Sequence, residues 1–208
     1  MNKLLYAAAA AAITTAAPAA FAETRDHAGF TAVEAAGNVE VQVIQGARFS
    51  VVVDDARADR VLTRVYGDTL EIDMRNNWSL FGGGHPPGRV TVTLPTITGL
   101  GAAAGSTVRA ENIRADAISL DSSSGADLYV SGACARLTAD VSSGADLHAR
   151  ELRCADGSVD ASSGSDASVF LTGSVDVDGS SGADVRLYGG ASIRNLDLSS
   201  GADVHQNR

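Results

Sequence analysis

The chain of 208 residues carries 16 basic against 25 acidic side chains, a formal net charge of −9, with 22 glycines and only 5% aromatics. That balance disfavours nucleic acid as a partner, and because Lys3 is the only lysine, Schiff-base chemistry, a P-loop and a lysine general base have no residue to use. So few aromatics do not fill a wide globular core, whereas Val, Leu, Ile and Ala suit the narrow core of a solenoid.

The chain opens with Met1-Asn2-Lys3, runs through an alanine-rich apolar stretch to about Ala20, and reaches Ala20-Phe21-Ala22 before Glu23. One positive charge, an apolar middle and an A-x-A site predict a secretory signal peptide over residues 1–22, cleaved after Ala22. Thr14, Thr15 and Pro18 make the stretch a poor membrane anchor. Removing it leaves 186 residues (208 minus 22) with 15 arginines against 25 acids, a net charge of −10. We expect no membrane span in that mature chain, and a destination in the periplasm or at the cell surface.

Residues 23–98 read as a β region. Period-two patterns predict strands at Phe30–Glu34, Val39–Val43, Ser50–Val53, Thr69–Asp73 and Arg89–Leu94, separated by turns at Gly37-Asn38, Gln45-Gly46 and Gly67-Asp68. The polar segment Asp54 to Arg64 is the one predicted helix. Between the last two strands lies a glycine- and proline-rich loop, residues 76–88, holding the only tryptophan. Its Trp78 and Phe81 are candidate ligand-binding residues, an aromatic platform for a sugar or a partner, unless they fold back over the end of the core.

Residues 99–208 repeat. The turns Ser123-Ser124-Gly125-Ala126-Asp127, Ser142-Ser143-Gly144-Ala145-Asp146, Ser162-Ser163-Gly164-Ser165-Asp166, Ser180-Ser181-Gly182-Ala183-Asp184 and Ser199-Ser200-Gly201-Ala202-Asp203 follow a degenerate first copy around Gly105. Their glycines are 20, 19, 20, 18 and 19 residues apart, and four residues before each of the last five stands another aspartate: Asp121, Asp140, Asp160, Asp178 and Asp197. Between turns the sequence alternates apolar and polar, as in Leu137-Thr138-Ala139-Asp140-Val141. A unit of this length does not bury its own apolar face. Stacked in register it makes a continuous core and satisfies its backbone groups. The fold expected is therefore all-β, a parallel β-helix with rungs of about nineteen residues, its open end capped by the N-terminal strands. A right-handed coil is expected because the hexapeptide pattern of left-handed helices is missing. Each turn glycine is expected at positive φ.

The motifs Phe30-Thr-Ala-Val33 leading to Gly37-Asn-Val39-Glu-Val41, Gly67-Asp-Thr-Leu70-Glu-Ile72, Val90-Thr-Val92-Thr-Leu94-Pro95 and the Ser-Gly-Ala-Asp turns resemble the putative auto-transporter adhesin, head GIN domain family over roughly residues 30–205. The resemblance implies an exported all-β protein of the bacterial envelope with a β-helical body and no enzymatic activity, and it supplies no catalytic residues.

Two constellations carry chemistry. In-register stacking puts the turn aspartates Asp127, Asp146, Asp166, Asp184 and Asp203 about 5 Å apart, a repulsion that calcium relieves if it binds, and that hydrogen bonds to turn amides relieve if it does not. Cys134 and Cys154 fall at nearly the same point of adjacent rungs, so a disulfide and a buried pair of thiols are both open. The four histidines read as surface residues, and no cofactor is expected beyond calcium. The leading expectation for function is a non-catalytic adhesion module for a polysaccharide or an envelope protein. The alternatives are a polysaccharide lyase or hydrolase of β-helix type and a calcium-stiffened spacer. The last rung is expected to invite a second copy of the chain.

Overall fold

The computed structural model describes residues 22–54, 58–75 and 86–207. Its strands are β1 (Ala22–Arg25), β2 (Ala32–Ala36), β3 (Val39–Gln45), β4 (Ser50–Asp54), β5 (Val61–Tyr66), β6 (Thr69–Met74), β7 (Gly88–Leu94) and β8 (Gly99–Ala103). They continue with β9 (Thr107–Ser122), β10 (Asp127–Val141), β11 (Asp146–Ala161), β12 (Asp166–Leu171), β13 (Ser174–Gly179), β14 (Asp184–Tyr188), β15 (Ser192–Leu198) and β16 (Asp203–Gln206).

The repeat produces what its pattern demands. β9, β10 and β11 each form most of a rung, bending so that one end pairs in one parallel ladder and the other end in a second. The first ladder runs β7-β3-β9-β10-β11-β12-β14-β16, and the second β6-β2-β8-β9-β10-β11-β13-β15. Inward residues of the two ladders meet in a narrow core: Leu128, Val130, Leu137, Ala139 and Val141 of β10 are all buried. The rung corner is marked by register shifts between Tyr129 and Ser131 and between Val130 and Gly132. At that corner a Cβ on Gly132 would stand 2.1 Å from the Ile113 carbonyl oxygen, so the backbones approach there as only glycine allows. The neighbouring Cys134 and Cys154, paired in register, are joined by a disulfide with a Cα–Cα distance of 4.5 Å.

The turn between rungs is tighter than a glycine alone explains. Ser124, Ser143, Ser163, Ser181 and Ser200 have φ between 51° and 56°, and the glycine after each is also positive. Two successive positive φ values define a type I′ turn, closed by bonds such as Ala145 N–H to Ser142 O at 3.2 Å. Each turn also binds the next: Gly125, Gly144, Gly164 and Gly182 donate their N–H to the carbonyl of the following rung's left-handed serine at 3.0–3.2 Å. Ala104 and Gly105 repeat the geometry, as the degenerate copy suggests.

The N-terminal strands do occupy the end of the stack, but they extend the solenoid as well as closing it. β2 pairs in parallel with β6 and β8, and β3 with β7 and β9. The rung formed by β2 and β3 is thus inserted between one formed by β6 and β7 and the first repeat rung. Antiparallel strands finish the end: β4 on β7 with β1 outside it, and β5 on β6. The predicted helix over Asp54–Arg64 is not formed. Asp54 ends β4, Ala58–Arg60 is a single 3-10 turn, and Val61 to Arg64 belong to β5. The physical reason is that Val61 is buried and that the edge of β6 offers this segment a full set of backbone partners.

Candidate functional site

Two surfaces of the solenoid concentrate chemistry, and both follow from in-register stacking. The first is the turn edge. Asp127, Asp146, Asp166, Asp184 and Asp203 are direct register partners in sequence, as are Asp121, Asp140, Asp160, Asp178 and Asp197. The two acidic columns flank the serine-glycine turns, one on each ladder. Backbone pairing fixes this arrangement, so like charges lie close whatever their function.

Side chains of the neighbouring column approach three of the turn carboxylates. Two residues beyond Asp146, Asp184 and Asp203 stands a side chain directed back to the aspartate of the preceding rung, whereas Tyr129 and Ser168 hold that place after Asp127 and Asp166. Arg186 donates to Asp166 at 2.5 Å, and that carboxylate raises the Arg186 pKa further. His148 Nε2 lies 3.9 Å from Asp127, and His205 Nε2 lies 4.0 Å from Asp184. On the other ladder, burial pushes the Asp121 carboxyl above its usual range; the Ser119 hydroxyl offsets part of this and Asp140 adds to it. Burial likewise raises Glu34, helped by Glu71 and Asp121. Glu34 leans over Gly101, whose missing side chain makes room: a Cβ there would meet Glu34 Cγ at 2.9 Å. Asp156 is shifted the other way, lowered chiefly because the Ser174 hydroxyl and N–H both donate to it.

The second surface is a groove of about 680 Å³ on the outer side of the first ladder, lined by Arg109, Tyr129, His148, Arg150, Glu151 and Tyr188 among others. The Tyr129 and His148 rings stack at 4.4 Å, 14° from parallel. Arg109 covers the other side of Tyr129 at 4.5 Å, Arg150 covers Tyr188 at 4.4 Å, and nearby Arg153 covers Phe170 at 4.7 Å. These are cation–π geometries. They hold flat rings upright on an exposed sheet, where an unsupported tyrosine would rotate freely. A further cavity of about 830 Å³ near the N-terminal end is lined by Glu34, Glu71, Asp121, Leu62 and Ile72 with others.

The structure thus brings the five turn aspartates into one column. Trp78 and Phe81 lie outside the described residues. Sequence reading missed the groove, although its signal was present. Tyr129, His148, Ser168, Arg186 and His205 share one place in successive rungs, yet only the folded structure shows that two of these rings stack and that an arginine caps them. His148, read as an isolated surface residue, belongs to the groove and to the acidic column at once.

Among the described residues no helix is long and apolar enough to cross a membrane. The fold is shared with solved structures. A putative adhesin from Bacteroides fragilis NCTC 9343 aligns with a TM-score of 0.62 at 17% identity, over 91% of this chain and 97% of its own. A putative lipid binding protein from Parabacteroides distasonis ATCC 8503 aligns with a TM-score of 0.51 at 14% identity, over 90% and 97%. No curated protein matches significantly. The sequence profile of one family matches residues 29–191, a span that includes the parallel N-terminal rungs and most of the repeat turns, and the chain accordingly belongs to the putative auto-transporter adhesin, head GIN domain family.

Proposed function

We propose that this protein is an exported, non-catalytic binding module of the bacterial envelope that holds a glycan chain along the groove of its first ladder. The observation that carries the reading is the supported aromatic surface: Tyr129 stacked on His148 beneath Arg109, with Tyr188 beneath Arg150 on the far side. Sugar rings present an apolar face and a rim of hydroxyls. Flat aromatics take the face, and Arg109, Arg150, Glu111, Glu151 and Asn112 around the groove can bond the rim. A rigid sheet holds these groups at fixed spacing, which lowers the entropy lost on binding an extended chain. The N-terminal A-x-A site and the family's adhesin description support export to the envelope. The acids are arrayed in columns that backbone register alone explains, so a lyase or hydrolase reading gains no specific support from them.

A glycan array followed by calorimetry on the retained saccharides tests this. Wild type should retain a defined set without releasing products, and Tyr129→Ala with Tyr188→Ala should weaken binding about tenfold or more while the melting temperature stays near that of wild type. Equal retention by the double variant would move the site elsewhere. Saccharide cleavage would replace the reading with an enzymatic one, and capture by lipid vesicles without glycan binding would replace it with a lipid-binding one.

A further inference from the structure

We propose that Asp127, Asp146 and His148 form a binding site for a divalent transition metal, with zinc the ion that fits best. Asp127 and Asp146 are register partners on β10 and β11, and His148 follows Asp146 by two residues on the same outward face. One ligand atom from each of the three lies within 4.8 Å of the other two. Ligands of a tetrahedral zinc ion, each about 2.1 Å from the metal, stand about 3.4 Å from one another. Side-chain rotations of about 1 Å would close the set without moving the sheet.

Two observations separate this triad from the rest of the acidic column. The first is that the imidazole is positioned. The His148 ring lies flat on Tyr129, which Arg109 covers from the other side, so its Nε2 faces the Asp127 carboxylate at 3.9 Å rather than sweeping through solvent. Fixing a metal-binding imidazole by a neighbour is how ligand sets are made ready for their ion. The second concerns charge. The side chain that reaches back toward Asp166 is Arg186, whereas the residue in the corresponding place above Asp146 is the neutral Ser168. Asp146 therefore has no arginine at that position, and a bound dication sets positive charge between the register-paired Asp127 and Asp146 carboxylates, where the imidazole already points.

Donor chemistry selects the metal. Calcium takes six to eight oxygens, and this site offers two carboxylates and a nitrogen, a set that suits zinc, nickel or copper. Three protein ligands leave a fourth position facing solvent at the rim of the groove. Metal binding stands on the triad alone and does not depend on the glycan reading, and the two fail in different assays.

Titrating tag-free purified protein with zinc chloride, and separately with calcium chloride, by calorimetry tests the proposal. One zinc should bind, while calcium at the same concentrations gives no comparable heat. His148→Ala and Asp146→Asn should each weaken zinc at least tenfold, and His205→Ala should change it by less than twofold. Because all three are outward-facing positions, unchanged melting temperatures will show that the variants fold. In a long-range nitrogen–proton correlation spectrum the His148 Nε2 signal should shift with zinc in wild type. No zinc heat, equal zinc affinity in His148→Ala, or calcium binding with the same affinity as zinc would each overturn the proposal.

Discussion

The rungs built from residues 30–94 and those built from 99–206 belong to the same two ladders but hold themselves together differently. The first set packs large side chains: Phe30, Leu70, Ile72, Leu94 and a row of valines are fully buried, with Ala35 their one buried alanine among the described residues. The second mixes Leu and Val with many alanines, Ala126, Ala139, Ala145, Ala149 and Ala161 among them, and gains its order from a hydrogen-bonded stack of type I′ turns. Repetition in sequence is therefore a sufficient but not a necessary route to a solenoid. What both regions share is in-register pairing over a continuous apolar strip, and either bulky packing or repeated turns can fix that register.

The comparison is broken most severely in the first region. Phe30 is fully buried with its ring 5.0 Å from Phe49, and Phe30→Ala should cost about 3–5 kcal/mol by leaving a cavity, read as a fall in the denaturant midpoint. A loss under about 1 kcal/mol, the range of a tolerated core swap, would show that bulky packing does not hold these rungs. In the second region the turn should be the sensitive point. Gly144 has φ +67° with nothing within 4 Å of a Cβ, so Gly144→Val should cost about 2 kcal/mol from backbone conformation alone. Ser143, at φ 56°, should respond in the opposite direction, Ser143→Asn stabilising by about 0.5 kcal/mol because asparagine favours the first position of this turn. Thermal melts of both variants that matched wild type would dismiss the turn stack as a source of order.

The smallest effect lies at the seam between the two regions. Burial, Glu71 and Asp121 raise the Glu34 carboxyl above 4.5. Above the folded value both states are ionised and the raised pKa is a cost to the fold; as pH falls through the folded value the native state takes up its proton first and the cost is removed. Glu34→Gln should accordingly stabilise at pH 7, by about 0.5 kcal/mol or less after solvent screening, and its advantage should shrink as pH drops toward 4.5. An advantage that grew in acid would reverse the assigned sign.

Much of this architecture was legible beforehand. Five Ser-Gly-Ala/Ser-Asp copies located the turns and the acidic columns, because a fixed period leaves stacking as the only way to bury the alternating apolar face. Short valine-rich runs located β3, β4 and β7, and the Leu70-Glu71-Ile72 alternation located β6. The segment Asp54–Arg64 misled because its polarity outweighed the Val61-x-Thr63-x-Val65 alternation of β5. The turn serines gave no signal at all: glycine advertises positive φ, but Ser143 occupies the same region, held there by the turn stack.

The sequence by itself determined the rung, its turn and the identity of each column, since these depend on residues close along the chain and on the two-residue period of a strand. Only the tertiary structure decided the order of the first rungs, with β2 and β3 lying between β6-β7 and β8-β9, and only it decided which members of a column touch. Strand pairing between distant segments is settled by the total packing of edges and core, and a ring stack such as Tyr129 on His148 by side-chain rotamers across two rungs. Neither quantity is written in any local stretch of residues.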